Sequence, residues 1–181
     1  MILLDTWKTP FGLAPFDKIS DAEFAPAIDK ALEVALAGIS KIADNPEVLS
    51  FENTIEAMDV AEALLDQVAA VFYTLAGCDS TAVREALQRE FSPKLSAYSS
   101  AVSSNKKLFE RIQTLWANRE AHDLSTEQER VLMLAHRGFV RAGAQLSGAD
   151  ADRMAEITSR LAILGTDFMQ NLLADERNWF L

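Results

Sequence analysis

The chain has two histidines, His122 and His136, and histidine is the side chain that most often binds a catalytic metal ion. A hydrolytic zinc site usually takes two histidines from one helix as H-E-x-x-H, and keeps one coordination position open. Here the two histidines fall in different predicted segments, and neither has a glutamate at that spacing. We therefore predict a solvated loop position for His122, a helix-surface or packed position for His136, and no metal site.

The residues that a di-iron site or a cysteine nucleophile would require are also absent from the sequence. A di-iron bundle needs a glutamate three positions before a histidine, but Arg119 and Met133 occupy those positions. The single cysteine, Cys78, cannot form an internal disulfide and has no neighbouring base to activate its thiol. The sequence favours an inert Cys78 and a protein of the reducing cytosol.

Two carboxylate pairs have the residue types for acid and base catalysis. They are Glu127 with Glu129, and Asp150 with Asp152. Each pair lies in a predicted first helical turn, where the helix dipole stabilises negative charge. The glycines are scattered singly, so no phosphate-binding loop is present. We predict no catalytic, cofactor-binding or metal-binding residue in this chain.

Length and charge limit the classes of protein that remain. The chain has 181 residues, of which 49% are hydrophobic and 24% charged, the composition of one folded domain. Its net charge of -10 disfavours nucleic acid and anionic membrane surfaces as partners. The beginning of the chain lacks the basic region of a signal peptide, and the longest apolar run, 68–78, is too short to cross a bilayer. A soluble, cytoplasmic protein is expected.

The elements that would position these side chains are helical. Residues 1–19 form a predicted irregular arm pinned by its aromatic side chains, because prolines and a glycine interrupt any regular pattern. A capping box, Ser20 with Glu23, opens the first helix of a helical domain over 20–181. Its apolar stripe has helical spacing and consists of Phe24, Ala27, Ile28, Ala31, Leu32, Ala35, Ile39 and Ile42.

Five further segments repeat helical spacing. They cover about 53–75, 81–102, 106–119, 126–142 and 147–172, with Asn105 and Ser125 as predicted N-caps and Gly77 and Gly143 as predicted stops. The later half of the second helix is apolar nearly all round, so we expect this helix to be the most buried. Pro93 should kink or break the third helix. Aromatic and methionine side chains at helical spacing should be core: Phe72, Phe91, Phe139, Met154 and Phe168.

No segment alternates with the period of a β-strand. The predicted fold is therefore all-α, an antiparallel array of about six helices with an irregular N-terminal arm.

Several strings in the chain match one family in order. They are Trp7–Gly12, Pro15–Ile19, Ser50–Ala57, Ser92–Leu95, Phe139–Ala144 and Asn171–Asp175. This series resembles the N-terminal part of peptidyl-dipeptidases, also called dipeptidyl carboxypeptidases, in the thimet oligopeptidase family.

The resemblance implies a helix-rich zinc metallopeptidase that cuts short peptides inside a deep channel. Its H-E-x-x-H helix and downstream glutamate ligand lie beyond the region matched here, so no catalytic position carries over to this chain. The implied role is a wall of the substrate channel that needs the catalytic half as its partner, with zinc in that missing half.

An alternative of another class is an independent helical module that binds a protein or peptide. The apolar trio 179–181 stands at the end of the chain, where residues are normally polar. We expect it to have packed against something absent, which would leave an exposed apolar face and favour self-association.

Overall fold

Residues 1–179 are described by a computed structural model, and within them six α-helices and several short helical turns account for all regular structure. The helices are α1 (Phe24–Ala43), α2 (Ala57–Cys78), α3 (Ala82–Ser103), α4 (Lys106–Ala117), α5 (Thr126–Arg141) and α6 (Ala149–Asn178). The predicted all-α array of about six helices is confirmed. Of the terminal trio, Phe180 and Leu181 lie outside the described residues.

The helices begin where capping residues predict. The Ser20 N–H donates to Glu23 Oε2 at 3.1 Å in the turn that leads into α1. The Leu108 N–H donates to Asn105 Oδ1 at 3.0 Å, and the Gln128 N–H donates to Ser125 Oγ at 3.2 Å. These bonds satisfy amide groups that have no partner inside the helix. At the other end of α5, Gly143 takes a left-handed φ of +95°, which confirms it as the stop.

The core forms around α1, whose predicted apolar stripe is buried apart from the half-buried Leu32. Phe72 of α2 lies at the centre of this core, with its ring 5.1 Å from that of Phe24 and 4.8 Å from that of Phe91. Both contacts are edge-on, the arrangement that aromatic quadrupoles favour. Three helices are thus joined by one aromatic cluster.

Helices α1 and α2 approach closely at Gly38. A Cβ atom built at this position would lie 2.7 Å from Ala61 Cβ, closer than two non-bonded carbon atoms approach in proteins. Two small residues therefore set the distance between these helices, which lets the larger side chains on either side meet.

The prediction that the second helix is the most buried is wrong. Seven side chains of α1 are buried and five of α2. Two of its large side chains, Val60 and Tyr73, are exposed to solvent. A helix that is apolar on all sides is not necessarily covered by other helices on all sides. Gly77 also fails as a stop, because α2 continues through it to Cys78.

Within residues 1–179, one helical stretch, Glu52–Cys78, is long and apolar enough by composition to cross a membrane, with a mean hydropathy of 1.3. The sequence-based expectation considered only its uninterrupted apolar run. In the structure the same stretch supplies Leu65, Val68 and Phe72 to the core. Such a composition also suits the core helix of a helical array.

Of the kink or break predicted at Pro93, the break does not occur, because α3 runs through this position without interruption. Pro93 removes one backbone hydrogen bond from the helix interior. Phe91 and Tyr98, on either side of it, are buried in the core. Packing on both sides of the proline holds the helix together.

The N-terminal arm is irregular, and the prediction that aromatic side chains pin it holds for Trp7, which packs against the core and donates from Nε1 to Ile2 O at 2.8 Å. Leu3 is fully buried, and Gln67 Nε2 of α2 donates to Leu3 O at 2.9 Å. Phe11 is 98% exposed and has an unusual left-handed φ of +61°. Leu3, Trp7 and the hydrogen bonds from Gln67 therefore attach the arm to the helices.

Candidate functional site

His136 lies in an aromatic stack between α4 and α5. Its ring stacks 5.9 Å from that of Phe109 and 5.8 Å from that of Trp116. The Arg119 guanidinium lies 4.3 Å from the centre of the Trp116 ring, so a cation already occupies that side of the stack. Of the two positions predicted for His136, on the helix surface or packed, the structure shows a half-buried ring that stacks between α4 and α5.

Stability should fall in mild acid because of His136. Burial lowers the pKa of His136 below its usual value of 6.5, so the unfolded chain binds this proton more tightly than the folded one. The stabilisation from the neutral ring is complete above pH 6.5 and is lost as pH falls through 6.5 toward the folded pKa. Urea unfolding measured from about pH 7.5 to pH 5.5 should show this decline.

His136→Phe should flatten that dependence, because it keeps the stacked ring and removes the titrating group. The control is His122→Gln, which replaces the other histidine and should keep the decline. An unchanged pH dependence in His136→Phe would contradict this account.

The other residues considered for chemistry do not converge. Glu129 pairs with Arg119 at 3.4 Å, while Asp150 and Asp152 lie in the first turn of α6. Cys78 is exposed at the end of α2. Across residues 1–179, no three His, Cys, Asp or Glu side chains meet in a geometry that could hold a metal ion. The residues present therefore do not fit a zinc site, and we assign no step of peptide hydrolysis to them.

A polar cluster at the Ser50–Ala57 segment centres on Arg111 of α4. Its guanidinium donates to Asn45 O at 2.8 Å, to Asn53 Oδ1 at 2.9 Å and to Thr54 Oγ1 at 3.3 Å. Thr54 is fully buried. Arg111 thus ties the connection between α1 and α2 to α4, which gives this motif a structural role. Sequence reasoning missed Arg111, because its partners are more than 50 positions away.

Helix α6 packs on α3 through polar and small residues. Thr166 Oγ1 donates to Ser92 Oγ at 2.8 Å, and Gln170 Nε2 donates to Glu85 O at 3.1 Å. Arg177 adds an ion pair with Glu85 at 2.7 Å. Thr166 and Gln170 are four positions apart and share one side of the helix. This side is the one that faces the rest of the described chain.

The opposite side of α6 carries an apolar stripe that is exposed to solvent. Phe168 follows Thr166 by two positions, which turns it about 200° round the helix. We call this stripe the α6 apolar face, and it consists of Ile157, Leu161, Leu164, Phe168 and Leu172. Leu161 is 62% exposed and Phe168 67%. The prediction of Phe168 as core is therefore wrong within this chain, while Met154 is half-buried.

An exposed apolar stripe of five large side chains on one helix is a candidate interaction surface. The spacing of these residues was visible in the sequence as a helical stripe. From the sequence alone this apolar stripe would be expected to face inward. The structure shows instead that the opposite, polar side of α6 packs on α3. We therefore take the α6 apolar face as the candidate interaction surface of this chain.

Comparison with known proteins places the chain among relatives of peptidases. It is 33% identical over 172 residues to a dipeptidyl carboxypeptidase of Salmonella typhimurium, and this match covers 95% of the chain. It is 27% identical over 172 residues to oligopeptidase A of Escherichia coli, and 25% identical over 158 residues to a thimet-like oligopeptidase of Dictyostelium discoideum. The resemblance predicted from the sequence motifs is confirmed.

The matches cover the chain far better than they cover the relatives. The chain spans about a quarter of the length of the curated relatives, 25% for the Salmonella protein and 24% for the Dictyostelium protein. No family model matches the chain. The sequence is related over nearly its whole length to one portion of these peptidases, of which the dipeptidyl carboxypeptidases match at higher identity than oligopeptidase A.

Proposed function

We propose that this chain acts as the non-catalytic, amino-terminal helical domain of a zinc-dependent peptidyl-dipeptidase or oligopeptidase. In this role it forms part of the wall of a channel that admits short peptides. Zinc and the catalytic residues belong to the part of the protein that the chain does not contain. The match to a quarter of the dipeptidyl carboxypeptidases supports this proposal.

The observation that carries the proposal is the α6 apolar face. Its occupant, we propose, is the catalytic portion of the peptidase. Full burial of a leucine or phenylalanine side chain contributes about 1.5–3 kcal/mol, so five partly exposed ones represent a substantial unused association energy. The chain's net charge of -10 opposes pairing of two copies, which favours a different partner over self-association.

A cytoplasmic location forms part of the same proposal. The single cysteine is exposed and unpaired, which suits a reducing compartment. The apolar stretch Glu52–Cys78 contributes to the core of the helical array, which supports a protein that works in water.

The proposal is tested by adding the missing part. The chain is mixed with a fragment of the Salmonella dipeptidyl carboxypeptidase that lacks the matched quarter, and association and release of dipeptides are both measured. We expect a one-to-one complex and dipeptide release that a zinc chelator abolishes. The double variant Leu161→Glu with Phe168→Glu should weaken association by more than about a hundredfold, because it places two charges in an apolar contact.

The matched control is Val48→Glu, which adds a charge at an exposed apolar position away from α6. Circular dichroism should show that both variants fold as the parent chain does. Association without dipeptide release would support the independent binding module instead. Dimerisation of the chain alone, lost in the double variant, would show that a second copy covers the α6 apolar face.

A further inference from the structure

A cavity of about 410 Å³ opens between α2, α3, α5 and α6, away from the α6 apolar face. This volume is in the range of small-ligand sites, about 300–1,000 Å³. Apolar walls come from Met58 of α2, Phe139 of α5 and Met154 of α6. Gly138 also lines it, and a Cβ atom built there would meet no other atom within 4 Å. The missing side chain at Gly138 therefore leaves open space.

One carboxylate determines the charge of this cavity. Among the described residues that line it, Glu62 is the only charged one. Glu62 Oε1 accepts a hydrogen bond from the Tyr98 hydroxyl at 2.6 Å. Within residues 1–179, Glu62 makes no ion pair, and its other oxygen accepts no hydrogen bond from the protein.

The tyrosine holds this carboxylate in place and stays neutral. Burial raises the pKa of Tyr98 well above its usual value, and the hydrogen bond to Glu62 raises it further. Tyr98 is consequently a fixed donor to one oxygen of Glu62. The cavity thus has apolar walls, serine hydroxyl groups from α3 and one carboxylate that no Lys or Arg of residues 1–179 pairs with. A ligand with a cationic end complements that arrangement.

We propose that this cavity binds the side chain of a lysine presented by a peptide. The lysine ammonium would donate to the free oxygen of Glu62, and its aliphatic stem would lie against Met58, Phe139 and Met154. Lysine combines the charge and the unbranched apolar stem that these walls require. Because the cavity is formed entirely by this chain, the inference is independent of the proposed function.

The test is a titration of the full chain with Nα-acetyl-lysine methylamide, followed by amide chemical shifts in NMR spectra. We expect a dissociation constant on the order of 1 mM, since a small ligand makes few contacts, and shifts confined to the four helices around the cavity. Nα-acetyl-norleucine methylamide has a similar stem without the ammonium and should bind about tenfold more weakly. Equal binding of the two compounds would overturn the proposal.

Two variants locate the site. Glu62→Gln should weaken lysine binding about tenfold, because the amide keeps the acceptor for Tyr98 and loses the charge. Asp59→Asn makes the same change in charge at an exposed position of α2 outside the cavity, and should leave binding unchanged. Equal effects of these two substitutions would show that general electrostatic attraction is responsible, and would overturn the proposal.

Gly138→Leu should fill the cavity and abolish binding. Gly165→Leu is the control, because position 165 is also open but lies on α6 outside the cavity. Circular dichroism should confirm that both variants fold. Retained binding in Gly138→Leu would overturn the proposal. Binding of free hexylamine without binding of the blocked lysine would also overturn it, since it would indicate a small amine as the ligand.

Discussion

Replacing Phe72 with alanine is expected to lower the free energy of unfolding by about 3–5 kcal/mol. The side chain is fully buried, and its ring makes edge contacts with Phe24 of α1 and Phe91 of α3. Truncation removes both contacts and leaves a cavity where three helices meet. The neighbouring side chains belong to different helices and can close that cavity only if the helices shift. Urea unfolding followed by circular dichroism measures the loss.

Phe168→Ala is the matched control, because it makes the same chemical change at a side chain that is 67% exposed. We expect it to change the free energy of unfolding by less than about 1 kcal/mol. A loss at Phe168 as large as the loss at Phe72 would contradict the exposed position of the α6 apolar face. The pair of variants therefore tests the core and the candidate surface together.

Replacing Arg111 with alanine is expected to cost about 2–4 kcal/mol of stability. The guanidinium makes three hydrogen bonds to the connection between α1 and α2, and the residues it joins are otherwise held by local bonds. Asn53 Oδ1, for example, also accepts from the Ser50 N–H at 3.0 Å. Loss of Arg111 would release this connection from α4, and hydrogen exchange at residues 50–56 should become faster.

Arg130→Ala is the control for this experiment, because Arg130 lies exposed on α5. It should change stability by less than about 0.5 kcal/mol and leave hydrogen exchange at residues 50–56 unaltered. Arg111→Lys distinguishes charge from geometry, since lysine keeps the charge but cannot reproduce the planar fork of donors. Full stability in Arg111→Lys would show that charge alone is sufficient.

Local signals in the sequence predicted most of the helices. Asn105 and Ser125 begin helices because their side chains accept from amides three positions on, and the Ser20 amide donates to the Glu23 side chain in the same way. Such short-range bonds are readable from residue order. The buried stripe of α1 follows from the same short-range logic. Pro93 does not break α3, because its local cost is outweighed by burial of Phe91 and Tyr98, which depends on distant residues.

Residue order and composition are sufficient to show that this protein is helical, acidic and similar to peptidases through ordered motifs, since each of these depends on composition or on neighbouring residues. Which side of α6 faces inward depends instead on the assembled helices. Thr166 and Gln170 find hydrogen-bond partners on α3, more than 70 positions away, and this contact turns Leu161 and Phe168 to solvent. Burial is a property of the assembled helices, so periodicity can identify an apolar stripe without showing what covers it.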